Sequence, residues 1–345
     1  MPKVSIIIPV YNAKKFIKEC LVNCMTQTLE DIEIIVVDDK STDNTVELVK
    51  AVMREDSRIK LIELDKNYRQ GYARNVAIEQ STADYILFLD VDDAFEKNCA
   101  EELYNQIIAD DADMTVCKFA TIDDSTGKVH YKHEFANYAD LPKNLHRGFC
   151  YKDVVPLELF DKCNVVWDKI YKKSFLTENN IKFPGGMFCE DDVFSFQAVF
   201  KAKKISVLDK SLVFYRINRK DSSSNLKDRT TFDCFKMYKM IKENLMEQCI
   251  FFKLENAFMH YHIYSFLFFY RAVNKCYKHE FFNKMQKELS IYEGFIENLY
   301  NRENDPDTYE KLYDILKNNY FTYELKGFLN KFKKSKNTHP VQNTH

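Results

Sequence analysis

The chain has 345 residues, of which 46% are hydrophobic, and it contains only 7 Gly and 7 Pro. This composition indicates a globular protein of one large or two ordinary domains, and it excludes a disordered or low-complexity chain. The 50 Lys and Arg residues against 52 Asp and Glu leave a net charge of −2. Because a nucleic-acid-binding protein normally carries a positive field, we expect no nucleic-acid partner.

The distribution of cysteines and apolar residues bears on the cellular compartment. The ten cysteines are scattered without C-x-x-C pairs, and the N-terminus lacks a charged segment followed by an apolar signal core. No uninterrupted apolar run reaches about 18 residues, the length that a spanning helix needs. These features predict a cytoplasmic protein without a membrane-spanning helix.

Apolar runs and helical periods alternate along the first part of the chain. The predicted strands cover residues 4–10, 32–37, 59–64 and 85–89. Two predicted helices cover residues 13–27 and 71–79. A third follows the capping residues 41–43 and ends near residue 53. The continuous apolar runs are typical of strands buried on both faces. The alternation predicts an α/β fold with a mostly parallel sheet, flanked by helices and joined by right-handed crossovers.

Polar clusters follow three of these strands at their carboxyl ends, at residues 9–12, 38–39 and 90–93. Ligands bind at that edge of a parallel sheet, so we expect one crevice to hold all three clusters. The carboxylates of Asp90 and Asp92 suit a hard cation such as Mg²⁺ or Mn²⁺. An acidic turn that caps the next helix is the alternative. Neither G-x-G-x-x-G nor the P-loop signature occurs, so a bound phosphate would need another source of positive charge, such as that cation.

Four segments, in this order, resemble the family 2 glycosyltransferases, which are inverting nucleotide-sugar enzymes of the GT-A fold. They are S-I-I-I-P-V-Y-N at 5–12, Q-T-L-E-D-I-E-I-I-V-V-D-D-K-S-T-D-N-T at 27–45, A-R-N at 73–75 and F-L-D-V-D-D at 88–93. The resemblance implies a Rossmann-like GT-A catalytic domain over residues 1–225.

The resemblance also implies a nucleotide site. It places the base beside the first-strand residues Pro9 and Tyr11 and beside Asp39. The chemistry agrees, because an aspartate carboxylate accepts a hydrogen bond from the ring N–H of uracil while a tyrosine ring stacks on the base. Arg74 corresponds to the family's arginine near the base and ribose. An ion pair with one of the clustered aspartates is a second use for Arg74.

The D-V-D segment carries the metal prediction. The resemblance implies that Asp90 faces the ribose or the metal, and that Asp92 binds the Mn²⁺ or Mg²⁺ that bridges the diphosphate. One departure concerns the loop before A-R-N, where the family commonly reads N-x-G. Here Arg69 stands at the glycine position and the next glycine is Gly71, so the resemblance does not fix the conformation of this nucleotide-side loop.

A later segment carries the predicted catalytic base. C-E-D-D-V-F at 189–194 matches the family's G-E-D-x-x-F. The match implies that Asp191 takes the proton from the acceptor hydroxyl, and that Glu190 supports the base or the acceptor. Cys189 replaces the usual glycine and Asp192 adds a second carboxylate, so Asp192 is the alternative base. An ordinary acidic first turn of a helix is the structural alternative.

Two further segments extend the predicted donor site. The segment V-V-W-D-K-I-Y around Trp167 resembles the family's W-N-K-L-Y, so Trp167 lies either near the donor sugar or in the core. The segment after Arg216 resembles the one that closes over the diphosphate. Arg216, Arg219 and Lys220 would then give cationic donors to phosphate oxygens, and a polar surface loop is the alternative.

Strand signals end near residue 230, and dense aromatic residues at helical spacing follow. They predict a helical C-terminal domain at 226–336 and a disordered tail at 337–345. The last predicted helix, 320–336, interleaves lysines with apolar residues, which suits an anionic membrane surface on the inner face of the plasma membrane. Docking of this helix on its own domain is the alternative.

These observations predict a metal-dependent inverting glycosyltransferase. It would move a sugar from a UDP-sugar to a hydroxyl of a bacterial surface glycan, such as a lipooligosaccharide, a capsule or a lipid-linked oligosaccharide. The alternative is a catalytically silent nucleotide-sugar-binding scaffold in a glycan-assembly complex. Retention of Asp90, Asp92 and Asp191 argues against the scaffold, since it has no chemical need for a base.

Overall fold

The computed structural model describes residues 1–131, 138–162, 165–219, 228–299, 306–324 and 326. These residues form two compact units. The first contains the described residues of Met1–Leu226 and Asp233–Phe258, and the second contains those of Lys227–Phe232 and Met259–His345. The predicted division into domains at residue 225 stays a prediction.

The first unit is built around one sheet, which has nine strands within the described residues. They are β1 Val4–Val10, β2 Ile32–Asp38, β3 Ile59–Glu63, β4 Tyr85–Phe88, β5 Ala94–Phe95, β6 Met114–Asp123, β7 Val129–His130, β8 Lys169–Lys172 and β9 Ile205–Ile217. Their order is β3-β2-β1-β4-β8-β6-β9-β5, and β7 pairs with β6. The four strands predicted from apolar runs thus lie side by side.

The sheet changes from parallel to mixed along this order. β1 pairs in parallel with β2 and β4, and β2 pairs in parallel with β3. β1 and β2 are buried along their whole length, as their continuous apolar sequences predict. Beyond β4, the strand β8 runs antiparallel to both β4 and β6, and β5 runs antiparallel to β9. The parallel half carries the carboxyl ends at which the polar clusters lie.

Within the described residues, the helices whose bounds the sequence predicts begin and end close to the predicted positions, and all the helices found there are given next. They are α1 Ile17–Met25, α2 Thr45–Val52, α3 Gln70–Gln80, α4 Cys99–Asp110, α5 Pro156–Asp161, α6 Lys173–Glu178, α7 Glu190–Lys201, α8 Asp233–Glu247, α9 Phe251–Ala272, α10 Lys278–Ser290, α11 Glu293–Leu299 and α12 Pro306–Lys317. α1 begins at Ile17 rather than at residue 13. The turn before it is tied to the start of α2, because the Ala13 N–H donates to Thr45 Oγ1 at 2.8 Å.

The described residues of the second unit form helices joined by turns and short loops, as the sequence predicts. Of the predicted terminal helix 320–336, the structure describes residues 320–324 and 326, and the rest of it and the tail 337–345 lie outside the described residues. The Tyr320 and Tyr323 rings lie 5.8 Å and 5.2 Å from the ring of Phe282 on α10. This first turn therefore docks on its own unit. Binding of the segment to a membrane stays a prediction, which sedimentation with anionic vesicles tests.

Among the described residues, no helix combines the length and the apolar character needed to cross a bilayer.

The buried carboxylate of Glu33 joins several strands at the end of the sheet opposite the polar clusters. It accepts hydrogen bonds from Ser5 Oγ on β1 at 2.6 Å, from Lys60 Nζ on β3 at 2.6 Å, and from the Thr82 N–H before β4 at 2.6 Å. Burial alone would raise the pKa of Glu33, but the bonds from Lys60, Ser5 and Thr82 outweigh it and lower that pKa to about 2.

Glu33→Gln should therefore destabilise the protein in a pH-dependent way. The folded pKa lies below the unfolded value, so the stabilisation is complete above about pH 5 and is lost as the pH falls toward 2. We expect the variant to lose roughly 2–3 kcal/mol of unfolding free energy at pH 7, and about half of that difference at pH 3. Urea unfolding at both values measures it.

Glu63→Gln is the matched control, because Glu63 pairs with Lys50 on the surface and should cost less than about 1 kcal/mol. An equal loss for Glu33→Gln at pH 7 and pH 3 would contradict the assignment.

Candidate active site

The segments that follow β1 and β2 are tied together, as the predicted crevice requires. The Asp39 N–H donates to the Val10 carbonyl at 2.8 Å, and Asn12 Oδ1 accepts from the Thr42 N–H at 2.8 Å. Between them, the side chain of Tyr11 is 51% exposed. An exposed aromatic ring beside a carboxylate at this edge of the sheet can stack on a planar base.

Arg74 connects the D-V-D segment to the predicted catalytic base. This fully buried residue of α3 donates through Nη2 to Asp90 Oδ1 at 2.7 Å. Its Nη1 lies 2.6 Å from Asp191 Oδ1 and 3.0 Å from Glu190 Oε1. Burial opposes the charge of Arg74, but the Asp191, Asp90 and Glu190 carboxylates outweigh it and raise the arginine's pKa. The structure thus shows the ion-pair use of Arg74 and brings Asp90, Glu190 and Asp191 together.

The acidic first turn of α7 is held in place by its surroundings. Cys189 precedes it with φ 65° and ψ 30°, the left-handed conformation that favours glycine. Glu190 is buried and also accepts from Gln70 Nε2 at 2.5 Å. Burial raises the pKa of Asp191 well above the ordinary aspartate range, which Arg74 opposes and the charge of Glu190 reinforces. A raised pKa suits a carboxylate that must accept a proton near neutral pH.

The nucleotide-side loop adopts a glycine conformation although an arginine stands there. Arg69 has φ 69° and ψ 163°, a region populated almost only by glycine. Its N–H donates to Asp39 Oδ2 at 2.7 Å, and the Tyr68 N–H donates to Asp39 Oδ1 at 2.6 Å. Burial raises the pKa of Asp39, and these two N–H groups oppose the shift. Gly71 is required sterically, because a Cβ there would lie 2.8 Å from the Pro184 carbonyl oxygen.

Arg216 donates hydrogen bonds to the D-V-D-D turn and stabilises it. The Asp93 N–H donates to the Asp90 carbonyl at 2.9 Å, which closes the turn. The Arg216 N–H donates to Asp93 Oδ1 and its Nε donates to the Asp92 carbonyl, each at 2.8 Å. Arg216 also contacts Asp124 and Glu19, each at 3.2 Å. In the structure, this guanidinium is thus engaged by the protein.

Arg219 and Phe16 complete this side of the site. Arg219 Nη2 lies 2.8 Å from Asp92 Oδ2. The Phe16 ring lies below two guanidinium groups, with its centroid 5.0 Å from Cζ of Arg219 and 5.6 Å from Cζ of Arg216. The sequence gives no pattern that singles out Phe16, since a lone aromatic residue before a helix is common. Lys220, predicted beside these arginines, lies outside the described residues.

The donor set of the D-V-D segment fits a divalent cation only in part. Asp90 and Asp92 each bond one arginine through one oxygen and have a second carboxylate oxygen. In the part of the chain that the structure describes, no group of three or more His, Cys, Asp or Glu side chains could hold a metal ion. Two carboxylates suit Mg²⁺ or Mn²⁺ where the remaining ligands are substrate phosphates and water.

Two predicted site residues lie in the core. Trp167 is only 3% exposed, with its ring 4.8 Å from that of Phe119 and stacked on Tyr215 at 5.2 Å. Of its two predicted uses, the packing favours the core. Pro9 is buried opposite Val37, and β1 continues through it to Val10. The strand tolerates this proline because the pairing of β1 with β4 has already ended at Ile7.

The sequence and fold were compared with those of known proteins. A model of the family described as Glycosyl transferase family 2 matches residues 5–180. The chain belongs to glycosyl transferase family 2. Membership confirms the enzyme class expected from the sequence.

Two relatives illustrate the sequence similarity. The chain is 31% identical over 220 residues to the putative glycosyltransferase EpsH of Bacillus subtilis, a match that covers 63% of this chain and 61% of EpsH. It is 35% identical over 225 residues to the poly(ribitol-phosphate) beta-glucosyltransferase of Bacillus spizizenii, covering 63% of this chain and 32% of that protein. The match therefore spans less than two thirds of either relative.

Among solved structures, residues 1–349 of TarS from S. aureus, in complex with UDP-GlcNAc, superpose with a TM-score of 0.63 at 22% identity. The match covers 90% of each chain. This likeness confirms the predicted GT-A fold, in which the parallel half of the sheet continues into mixed strands.

Arg74→Met should destabilise the protein strongly, because three carboxylates would lose their shared counter-charge. We expect a loss of roughly 3–5 kcal/mol in the free energy of unfolding, measured with urea at pH 7. Arg229→Met is the control, since Arg229 is exposed and pairs with Glu280 on the surface, and it should cost less than about 1 kcal/mol. Equal effects of the two substitutions would refute the central role of Arg74.

Proposed function

We propose that this protein is a metal-dependent inverting glycosyltransferase that moves a sugar from a UDP-sugar to a hydroxyl of a bacterial surface glycan. The observation that carries the proposal is the contact of one arginine, Arg74, with Asp90 of the D-V-D segment and Asp191 of α7. Through this contact, the carboxylate proposed to act at the donor lies close to the carboxylate proposed to act on the acceptor. An inverting transfer needs both at one anomeric carbon.

The donor is proposed to be a UDP-sugar on two grounds. Asp39 is buried, and its N–H bonds the carbonyl of Val10, the residue before the exposed Tyr11. The Asp39 carboxylate can accept from the uracil N–H, and the Tyr11 ring offers a surface for the base. TarS, which shares the fold, was solved with UDP-GlcNAc and with UDP.

The chemistry assigned to this chain is a single displacement. The acceptor oxygen attacks the anomeric carbon, the bond from that carbon to the diphosphate oxygen breaks, and the acceptor proton passes to Asp191. Glu190 keeps Arg74 and the start of α7 in place. When bound at Asp90 and Asp92, Mn²⁺ or Mg²⁺ supplies positive charge for the leaving diphosphate. Arg219, beside Asp92, adds a guanidinium on the same side.

The acceptor is proposed from the relatives. One of them is named for transfer to poly(ribitol-phosphate), and the matched part covers 32% of that protein. A lipooligosaccharide, a capsule or a lipid-linked oligosaccharide is the proposed class here. The second candidate function is a scaffold that binds the nucleotide sugar without turnover. It differs from the enzyme in one measurable property, the release of UDP.

Binding and turnover are tested together with UDP and UDP-sugars. We expect UDP to raise the melting temperature with Mn²⁺ or Mg²⁺ but not in EDTA, because a ligand stabilises only a state that it binds. A set of UDP-sugars should then show metal-dependent release of UDP, with GDP-mannose as the donor control. Equal stabilisation in EDTA would contradict the metal bridge, and binding without UDP release from any donor would favour the scaffold.

Asp191→Asn should remove turnover while preserving the donor site. We expect kcat to fall by roughly 100-fold or more because the amide cannot take the proton. UDP affinity should change little, since the amide oxygen can still accept a hydrogen bond from Arg74. Asp192→Asn is the matched control and should retain most activity. An active Asp191→Asn with an inactive Asp192→Asn would move the base to Asp192.

A further inference from the structure

Phe16 lies beside Arg216 and Arg219, and the reaction proposed above assigns it no role. It is half-buried, directly precedes α1, and lies within 6 Å of two guanidinium groups. The Arg216 and Arg219 side chains are 17% and 16% exposed. A cation over an aromatic face is attracted by the ring quadrupole, and the attraction grows as the cation loses solvent. Both arginines meet this condition.

The two arginines depend on the ring to different extents. Arg216 lies within β9, and its backbone and guanidinium donate to Asp93, to the Asp92 carbonyl and to two further carboxylates. Arg219 lies two residues beyond the end of β9 at Ile217, after Asn218 with a positive φ of 61°. Its guanidinium is bonded to Asp92 and lies over Phe16. Because Arg219 lies outside the strand, side-chain contacts such as the one with the Phe16 ring contribute more to its position.

We propose that Phe16 is a positioning residue of the donor diphosphate site, which holds the Arg219 guanidinium beside Asp92. This inference rests on the proposed function, because the Arg219 and Asp92 pair borders the place assigned to the diphosphate. An arginine side chain has many rotamers, and a ring that holds the guanidinium in one place removes part of the ordering cost of phosphate binding. Phe16 would thus act on affinity through Arg219, without contact with the reacting atoms.

The test compares Phe16→Leu with Phe16→Tyr in the full chain. Leucine keeps an apolar side chain but removes the quadrupole, whereas tyrosine keeps the ring. Calorimetric titration with UDP in Mn²⁺ should show Kd raised about 5- to 30-fold for Phe16→Leu, the range expected for a partly desolvated cation–π contact. Phe16→Tyr should stay within about twofold of wild type. Phe252→Leu, at an exposed position on α9, controls for the loss of a phenylalanine elsewhere.

A double-mutant cycle separates positioning from packing. In an Arg219→Met background, Phe16→Leu should change the Kd of UDP by less than about twofold, because the group through which it acts is gone. The proposal is overturned if Phe16→Leu weakens UDP binding equally with and without Arg219. It is also overturned if Phe16→Tyr loses as much affinity as Phe16→Leu.

The four proteins of this cycle are wild type, Phe16→Leu, Arg219→Met and the double variant, and they distinguish this inference from the proposed function. If wild type binds UDP and Phe16→Leu binds it equally well, the inference fails and the proposed function stands. If wild type binds no UDP in Mn²⁺, the proposed function fails, and the role of Phe16 at a diphosphate fails with it. Urea unfolding of the four proteins then still reports whether Phe16 and Arg219 are coupled, and additive effects would refute the contact itself.

Discussion

The site depends on one buried guanidinium shared by three carboxylates. Arg74 contacts Asp90, Glu190 and Asp191, which belong to two distant parts of the sequence. A buried charge is costly unless it is paired and hydrogen-bonded, so α3, the turn after β4 and the start of α7 must come together for the chain to fold. The contact that stabilises the fold therefore also sets the spacing between the carboxylates proposed to act on the donor and on the acceptor.

The same constraint explains two departures from the family pattern. Arg69 and Cys189 both stand where the family commonly has glycine, and both have positive φ angles. Arg69 directly precedes α3 and Cys189 directly precedes α7, the two helices that Arg74 joins. Backbone conformations of this kind cost of order 1–3 kcal/mol for a non-glycine residue and persist only where the surroundings enforce them. Here the surroundings are the Asp39 carboxylate for Arg69 and the buried Glu190 for the start of α7.

Much of the fold could be predicted because strong local patterns set it. The fully buried strands β1 and β2 require continuous apolar runs, and these were visible in the sequence. β5 and β8 were not predicted, since two and four residues carry too little periodicity and their pairing partners are distant in sequence. The mixed half of the sheet is therefore determined by tertiary contacts and not by local sequence patterns. The family resemblance implied that Asp90 and Asp191 belong to one site, but not that Arg74 contacts both.

For three side chains near the site, the sequence left the role open or did not indicate one. Trp167, Arg216 and Phe16 have roles set by what packs against them, and no local pattern encodes that. Trp167 packs between Phe119 and Tyr215. Arg216 donates to the D-V-D-D turn, which is close in space but distant in sequence. The guanidinium bonded to the Asp92 carboxylate is that of Arg219, and it also lies over the ring of Phe16. In the role proposed for Phe16, an uncharged residue thus influences the electrostatics of the proposed donor site, because an aromatic face attracts the positive charge to one place.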